Sequence, residues 1–274
     1  MDPLLRTFLG ARGVEIHEGI VGGYQSAVHR GVLGEADVAV KVVDARLSDA
    51  GMVLRQASLA RDLAAIDTRV VAPIAIGGEV VLVTGYHLIT VSPLITGCAP
   101  DLDDLDDAEW LGRQLARLHA SMRRVSSELP LVASLRAGAG SLPDGDEQLI
   151  HGDPSAANFL RDGDGAHVLD LGEAGRGTPA YDVSLALFSR RFEVWSRGGP
   201  TLADDAAPEA ILYGYEQEAG YRPSSEELAN GLAMRREALA WWIDHPHGAP
   251  VGIRTASPEW RGVLARFVDH ERQS

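Results

Sequence analysis

Three side chains with oxygen donors lie close together in the second half of the sequence, at a spacing that suits phosphoryl transfer. Asp153 and Asn158 are five positions apart, and Asp170 follows Asn158 by twelve positions. A carboxylate can orient an attacking hydroxyl and take its proton, while carboxylate and amide oxygens suit Mg²⁺. Phosphoryl transfer needs little from a protein beyond positioning and charge neutralisation. We therefore predict Asp153 as the catalytic carboxylate and Asn158 and Asp170 as magnesium ligands.

Two short apolar segments bracket this run and predict the strands that hold it. Gln148–Ile150 precedes the run, and Ala166–Leu171 contains Asp170. On one rigid loop followed by a strand, the three polar side chains would face the same cleft. Taken alone, His151–Asn158 is also compatible with an ordinary turn, in which Asp and Asn side chains satisfy backbone groups.

The pattern of the first part of the chain predicts a small, mostly antiparallel sheet with one inserted helix. Runs of β-branched residues separated by glycines predict the strands, and Ser48 or Asp49 could cap the helix. The predicted strands are Val14–Ile20, Gln25–Val32, Asp37–Val43, Val70–Ile76 and Val80–Val91, and the helix is Ser48–Ile66, with Leu54, Leu59, Leu63 and Ile66 on one side.

From Asp101 onwards the pattern becomes helical. Leu111, Leu115 and Leu118 recur at the spacing of one helix face, which predicts a helix over Ala108–Met122. Prolines separate four further predicted helices, because proline disrupts a helix interior. These lie near residues 180–195, 204–220, 225–243 and 257–271, and the segment Pro130–Asp146 is predicted as a loop or a broken helix.

The motifs resemble those of the aminoglycoside phosphotransferase and choline kinase group within the protein-kinase-like superfamily. The matching pieces, in chain order, are Leu115–His119, His151-Gly152-Asp153 with Asn158, Asp170–Glu173, and Pro179–Asp182, with Thr178 where the family has an acidic residue. The resemblance runs from about Gly13 to Leu187. It implies an α+β, two-lobed fold. Residues 1–94 would form a nucleotide-binding lobe ending in a hinge, and residues 95–274 a mostly helical lobe with the catalytic loop and substrate pocket.

Lys41 is the only lysine of the chain, and it lies in the third predicted strand. The resemblance implies that it contacts the α- and β-phosphates of ATP or GTP, a task that suits a compact ammonium. A surface lysine on a half-exposed strand is the plainer alternative. Gly22, Gly23 and Ser26 resemble the glycine-rich loop over the phosphates, although a hairpin turn explains them equally well.

Two other parts of the nucleotide site follow from the resemblance. Thr90, Val91 and Ser92 fall where the family's hinge bonds the purine through backbone groups, which leaves ATP or GTP open. Kinases pair the strand lysine with a glutamate on the inserted helix, but the predicted helix here holds no glutamate. Gln56 aligns best with that position and could hydrogen-bond Lys41 without the charge pair.

The bulk composition excludes some partners. Asp and Glu outnumber Lys and Arg by 39 to 25, a net charge of −14. Nucleic acids and anionic membranes favour clustered basic residues, so neither is expected as a partner. With the single cysteine Cys98 there is no internal disulfide, and the first residues lack the pattern of a signal peptide. We expect a cytoplasmic protein, as a monomer or a dimer.

Acidic residues of the second lobe are candidates to bind a cationic acceptor. Glu173 follows the predicted metal ligand, and further candidates are Asp204, Asp205 and Glu216. A solvated helix face is an equally available interpretation for such clusters. The resemblance implies an enzyme that phosphorylates a hydroxyl of an aminoglycoside-like antibiotic and so confers resistance. The alternatives are a metabolic kinase for a sugar, a choline-like amine or homoserine, and a catalytically silent nucleotide-binding module.

Overall fold

The first lobe is built on a five-stranded antiparallel sheet. The computed structural model describes residues 2–20, 27–137, 146–163, 165–198, 205–246, 249 and 257–273. The strand order is β1-β2-β3-β5-β4, and every neighbouring pair is antiparallel. The elements are α1 (Pro3–Gly10), β1 (Val14–Ile20), β2 (Ala27–Leu33), β3 (Ala36–Asp44), α2 (Ala50–Ala64), β4 (Leu82–Thr84) and β5 (His87–Pro93).

The central strand β3 directs Lys41 away from the core of the sheet. Val38, Val40 and Val42 are buried, and Lys41 lies between two of them in register. Because successive side chains of a strand point to opposite faces, the valines pack beneath the sheet and Lys41 projects from its other face. The alternating pattern that predicts this strand therefore also sets the direction of its lysine.

Helix α1 covers the buried face of the sheet and is absent from the sequence-based prediction. Leu5 and Leu9 are buried in the same cluster as the β3 valines. Asp2 caps the helix by accepting a bond from the Leu4 N–H, and Pro3 occupies its first position. Asp followed by Pro is a helix start signal, so this element could have been predicted from its cap.

Helix α2 packs against both lobes. Leu59 and Leu63 belong to the large core of the second lobe, whereas Ala57 packs with Val81 and Leu88 beside the sheet. Asp49 is the cap, as predicted. The division of the chain at residue 94 stays a prediction, because part of the core crosses it.

Two residues that were predicted on the buried side of the inserted helix are exposed instead. Leu54 and Ile66 are 46% and 39% exposed, although the periodicity of α2 predicts both on its buried side. Small residues take their place, because Ala57 and Ala60 lie on the buried faces. The helix is held close to both lobes by alanines, which a search for large apolar residues overlooks.

The strand predictions after α2 need correction. Val70–Ile76 forms no strand and makes only isolated bridges, from Val70 to Val168 and from Ile76 to Glu79. The predicted strand Val80–Val91 is a hairpin instead, because Gly85 turns the chain with a φ of +55° between β4 and β5. Glycine adopts this left-handed conformation without steric cost.

The second lobe is mostly helical and, among the described residues, carries two short antiparallel β-pairings, β6 with β9 and β7 with β8. The four predicted C-terminal helices are confirmed, whereas β7 and β9 are not anticipated. The elements are α3 (Leu105–Met122), α4 (Ala133–Ala137), β6 (Gln148–Ile150), β7 (Phe159–Asp162), β8 (Gly165–Val168), β9 (Gly175–Gly177), α5 (Pro179–Ser196), α6 (Ala207–Ala219), α7 (Ser225–Asp244) and α8 (Pro258–Gln273). The predicted α+β architecture, with a small antiparallel sheet and a larger helical part, is confirmed. Among the described helices, none combines the length and apolar character needed to cross a bilayer.

Helices α3 and α6 meet at a pair of glycines. A Cβ on Gly112 would overlap the carbonyl oxygen of Ile211, and one on Gly214 would overlap that of Glu109. The leucines predicted for the inner face of α3, Leu111, Leu115 and Leu118, are all buried. The helix backbones can therefore approach each other without intervening side chains.

We expect Gly112→Ala to lower the free energy of unfolding by about 2 kcal/mol or more, because the added methyl must push α6 outward. Gly262→Ala in α8 is the matched control, since a methyl added there would have only the flexible end of Arg266 near it, at 3.6 Å. The control should stabilise the protein by up to about 1 kcal/mol through helix propensity. Urea unfolding of both variants measures the difference, and equal effects would contradict the close helix crossing.

Candidate functional site

The loop between β6 and β7 is anchored by one buried carboxylate. Asp182 is fully buried in the first turn of α5. Its two oxygens accept bonds from the backbone N–H groups of His151 and Gly152, both at 2.9 Å. A third donor is His119 Nε2, also at 2.9 Å. Charge-assisted bonds of this kind hold the loop backbone at a fixed distance from α5.

Gly152 brings this loop against the chain that follows Asp170. Its φ is +81°, and a Cβ there would overlap the carbonyl oxygen of Glu173. Both the backbone conformation and the close approach require glycine. The glycine of the His-Gly-Asp motif thus lets two chain segments of the site touch.

The ring of His151 links the same two segments. Its Nδ1 accepts the N–H of Asp153 at 3.2 Å, and its Nε2 lies 3.0 Å from the carbonyl oxygen of Leu169. These partners assign the proton to Nε2, so the ring is neutral in this arrangement. The ring stacks on Phe159, with 5.8 Å between centroids. The ring of His151 therefore sets the distance between the backbone of Asp153 and that of Leu169, the residue before Asp170.

Asn158 fixes the position of Asp153. Its Nδ2 donates to the backbone oxygen of Asp153 at 2.8 Å and to Oδ2 of the same residue at 3.2 Å. With Nδ2 turned towards Asp153, the opposite amide atom, Oδ1, is the one able to face a cation. The arrangement combines an oriented carboxylate with an oxygen ligand beside it.

Asp170 has an unusual backbone conformation. Its φ is +48°, and among the described residues it alone has a positive φ without being glycine. The carboxylate accepts the N–H of Gly172 at 3.1 Å. A Cβ on Gly172 would lie 2.7 Å from the Asp170 Oδ1 and 3.3 Å from the Lys41 Nζ, so glycine leaves room for both charged groups. Such local strain is typical of functional positions.

Lys41 meets Asp170 across the two lobes. The Lys41 Nζ lies 2.6 Å from the Asp170 Oδ1, although 129 positions separate the residues. Burial would raise the pKa of Asp170, but the charge and hydrogen bond of Lys41 outweigh it and hold that pKa below its ordinary value. The carboxylate is therefore ionised at neutral pH.

Gln56 has a different partner from the predicted one. Its side-chain amide donates to the carbonyl oxygen of Ala174 at 3.3 Å, while Lys41 bonds Asp170. The expected Gln56–Lys41 bond is thus replaced by a link between α2 and the segment that follows Asp170. The acidic partner of the lysine comes from the second lobe.

The β7–β8 hairpin carries both predicted metal ligands at its base. Asn158 directly precedes β7, and Asp170 follows the end of β8 by two positions. Each edge of the hairpin pairs with a segment that precedes α3: Val71, after α2, donates to the Val168 carbonyl, and Cys98, after β5, exchanges two bonds with Arg161, at 3.0 and 2.8 Å. The first lobe is therefore tied to the strands that place the ligands.

The other predicted binding residues have mixed outcomes. Thr90, Val91 and Ser92 lie inside β5, paired with β3, and not in a connector. The carbonyl of Val91 accepts the Ile74 N–H at 2.7 Å. Gly22, Gly23, Ser26 and Asp204 lie outside the described residues.

Some of the acidic residues that were predicted to bind the acceptor molecule already pair with arginines. The side chain of Asp205 is only 5% exposed and pairs with Arg190 at 2.9 Å, which argues against its predicted role. Glu216 lies on α6, partly exposed, 3.6 Å from Arg222. Glu173 lies in the short 3-10 helix after Asp170, nearest in sequence to the site. In the part of the chain that the structure describes, no group of three or more His, Cys, Asp and Glu side chains forms a metal site.

The donor set fits magnesium. Asn158 and Asp170 offer one amide and one carboxylate oxygen, and Mg²⁺ in phosphoryl-transfer sites commonly takes one or two protein ligands together with phosphate oxygens and water. A dedicated cage of protein ligands is not required.

Sequence reasoning missed the group that anchors the loop. His119 and Asp182 stand out in the sequence only as parts of family-like stretches, and Tyr215, 2.9 Å from His119 Nδ1, belongs to none of the motifs. A histidine on the apolar face of α3 and an aspartate just inside a helix after Thr-Pro are the signals that could have revealed the first two. Tyr215 leaves no such signal, because its partner lies 96 positions away.

Comparison with known proteins supports the resemblance. A family model described as "Phosphotransferase enzyme family" matches residues 128–223, the segment that holds the loop, both predicted metal ligands and Asp182. No curated protein sequence matches the chain significantly.

Solved structures share the fold over nearly the whole chain. An amicoumacin kinase in complex with AMP-PNP has a TM-score of 0.73 at 13% identity, covering 98% of this chain and 93% of that one. A microcompartment-associated aminopropanol kinase has a TM-score of 0.69 at 17% identity, with 98% and 94% covered. A spectinomycin phosphotransferase in complex with ADP has a TM-score of 0.62 at 13% identity, with 97% and 93% covered. The predicted kinase-like fold and the resemblance to these phosphotransferases are confirmed.

Proposed function

We propose that this chain, whose catalytic segment matches the phosphotransferase enzyme family, transfers the γ-phosphate of ATP to a hydroxyl of a small molecule. The observation that carries the proposal is the contact of Lys41 with Asp170. The Nζ of a lysine on the first-lobe sheet lies 2.6 Å from a carboxylate oxygen beside the predicted catalytic loop of the second lobe. A cation and metal-binding oxygens at one point are what a nucleotide's phosphates require.

Asn158 and Asp170 are proposed to hold Mg²⁺. When bound, the ion would neutralise charge on the phosphate oxygens. Asp170 is ready for this task because its pKa is held below the ordinary value, chiefly by Lys41 against the opposing effect of burial. Asn158 is already oriented by its bonds to Asp153.

Asp153 is proposed to orient the acceptor hydroxyl and to take its proton. Its backbone is fixed on one side by the ring of His151 and on the other by the amide of Asn158. A carboxylate held in this way contributes through geometry, because in-line attack depends on where the hydroxyl oxygen lies. Lys41 would turn from Asp170 to the phosphates when nucleotide binds. The contacts of Gly22, Gly23, Ser26, Thr90, Val91 and Ser92 with the nucleotide stay predictions, as does the choice between ATP and GTP.

The acceptor is proposed to be a cationic, aminoglycoside-like antibiotic, so that the reaction would confer resistance. The net charge of −14 favours a cationic ligand, and Glu173 and Glu216 are the described acidic candidates. Two of the similar structures are named for antibiotics, amicoumacin and spectinomycin. We place the enzyme in the cytoplasm, where ATP is abundant.

A metabolic kinase is the second candidate, and one specific observation favours it. One similar structure is named as an aminopropanol kinase, and aminopropanol is a small amino alcohol. A silent nucleotide-binding module is the third candidate. It is suggested by the missing helix glutamate, although Lys41 here has another acidic partner, Asp170.

We expect Asp153→Asn to lower kcat by about 10²- to 10⁴-fold, because the variant loses the proton acceptor. The dissociation constant of Mg-ATP should stay within about twofold, since Lys41, Asn158 and Asp170 are unchanged. Asp162→Asn, at the exposed far end of the β7–β8 hairpin, is the matched control and should behave as wild type. The assay follows nucleoside-diphosphate release across a panel of antibiotics and amino alcohols. A near-normal kcat for Asp153→Asn would overturn its catalytic role.

We expect Asp170→Asn to lose most of the thermal stabilisation that Mg-ATP gives the wild type, because an amide binds Mg²⁺ more weakly than a carboxylate. A ligand at a hundredfold its dissociation constant stabilises a protein by about 2.7 kcal/mol, which is readily seen as a shift in Tm. The titration is repeated with EDTA in place of Mg²⁺ and with Asp162→Asn. An Asp170→Asn shift equal to that of the wild type would contradict the proposed metal site.

A further inference from the structure

A buried tyrosine hydroxyl lies behind the loop anchor, outside the reacting groups. Tyr215 is 1% exposed on α6, and its hydroxyl is 2.9 Å from Nδ1 of His119. His119 is itself 2% exposed and binds Asp182 through its other ring nitrogen. The hydroxyl is therefore the next member of a buried chain of bonds that ends on the backbone of His151 and Gly152.

The donor and the acceptor of each hydrogen bond from Tyr215 to Asp182 follow from the groups that Asp182 binds. Both oxygens of Asp182 accept backbone N–H bonds, so we assign the proton of His119 to Nε2, which then donates to the same carboxylate. A neutral imidazole then presents Nδ1 as an acceptor, and the Tyr215 hydroxyl donates to it. Burial, followed by the charge and hydrogen bond of Tyr221, raises the pKa of Tyr215 far above its ordinary value, so the hydroxyl keeps the proton it donates.

The close helix crossing makes the contact possible. Gly112 on α3 and Gly214 on α6 let the two backbones touch, and Tyr215 directly follows the second glycine. The ring of Tyr215 also meets the imidazole edge-on, with 5.7 Å between centroids. At its outer side Tyr215 contacts Tyr221, 39% exposed in the segment between α6 and α7. The bond chain thus runs from the surface of the helical lobe to the catalytic loop.

We propose that Tyr215 is a positioning residue of the catalytic loop. By donating to His119, it fixes the imidazole that holds Asp182, and Asp182 in turn holds the loop backbone in front of Asp153. Its loss would let His119 rotate and leave Asp182 with the two backbone donors alone. The catalytic consequence rests on the proposed phosphotransferase function, whereas the effect on the loop backbone does not.

The test compares two buried tyrosines that each lose one hydroxyl. Tyr215→Phe removes the bond to His119. Tyr181→Phe removes a 2.7 Å bond to Ser134 from a side chain that is 0% exposed, and so controls for a purely structural loss. Two quantities are measured on the full chain: residue-resolved amide hydrogen exchange at His151 and Gly152, and the steady-state kcat and KM for ATP.

For Tyr215→Phe we expect exchange at both amides to accelerate by about tenfold relative to Tyr181→Phe at an equal Tm, because the carboxylate that protects them is less firmly held. We also expect kcat to fall by about tenfold with an unchanged KM for ATP, since the nucleotide contacts are untouched. Equal exchange in the two variants would overturn the positioning role. Faster exchange with an unaltered kcat would overturn its importance for catalysis. If the wild type shows no transfer to any acceptor, the proposed function fails, and the exchange comparison still decides whether Tyr215 holds the loop.

Discussion

The site depends on a charge placed where water cannot reach it. Desolvating the carboxylate of Asp182 costs several kcal/mol, and the fold offsets that cost with three donors at 2.9 Å. Two of those donors are consecutive backbone N–H groups of the catalytic loop, so satisfying the charge and placing the loop are the same event. Because hydrogen bonds to charged groups are worth about 1.5–3 kcal/mol each, movement of the loop away from Asp182 is costly: it would leave that carboxylate with His119 in place of three donors. The position of Asp153 therefore depends on a fully buried residue that holds the two backbone groups preceding it.

The second constraint joins the two lobes beside Asn158 and Asp170, the proposed metal ligands. Two segments that precede α3, one after α2 and one after β5, pair with the β7–β8 hairpin, one on each edge. Helix α2 adds a third connection, because its leucines lie in the core of the second lobe and Gln56 bonds the chain after Asp170. Together these contacts fix the position of the first-lobe sheet relative to the loop between β6 and β7. They therefore also fix the distance from Lys41 to Asp170. In this arrangement the lysine has Asp170, the proposed metal ligand, as its acidic partner in place of a glutamate on α2.

Local features of the sequence were predicted more reliably than contacts between distant residues. The spacing of Asp153, Asn158 and Asp170 and the solitary Lys41 are local signals, and the four C-terminal helices follow from periodicity and proline positions. The β4–β5 hairpin, the pairing of Val70 with Val168 and the exposure of Leu54 could not be predicted in that way, because each depends on a partner distant in the sequence. The Asp182–His119–Tyr215 chain is the clearest case: polar residues inside apolar helices look like ordinary core positions until the helices cross. The sequence likewise gives no sign that the glycines at the α3–α6 crossing are required by a close helix contact.

The central claim is that these residues move a phosphoryl group from a nucleotide to a small-molecule hydroxyl. Mass spectrometry of the acceptor after incubation with the enzyme, Mg²⁺ and ATP labelled with ¹⁸O in the γ-phosphate tests it most directly. The account predicts an acceptor heavier by one phosphoryl group that carries the label, formed only when Mg²⁺ is present. ATP consumed with the label appearing solely in inorganic phosphate, for every antibiotic and amino alcohol offered, would contradict it.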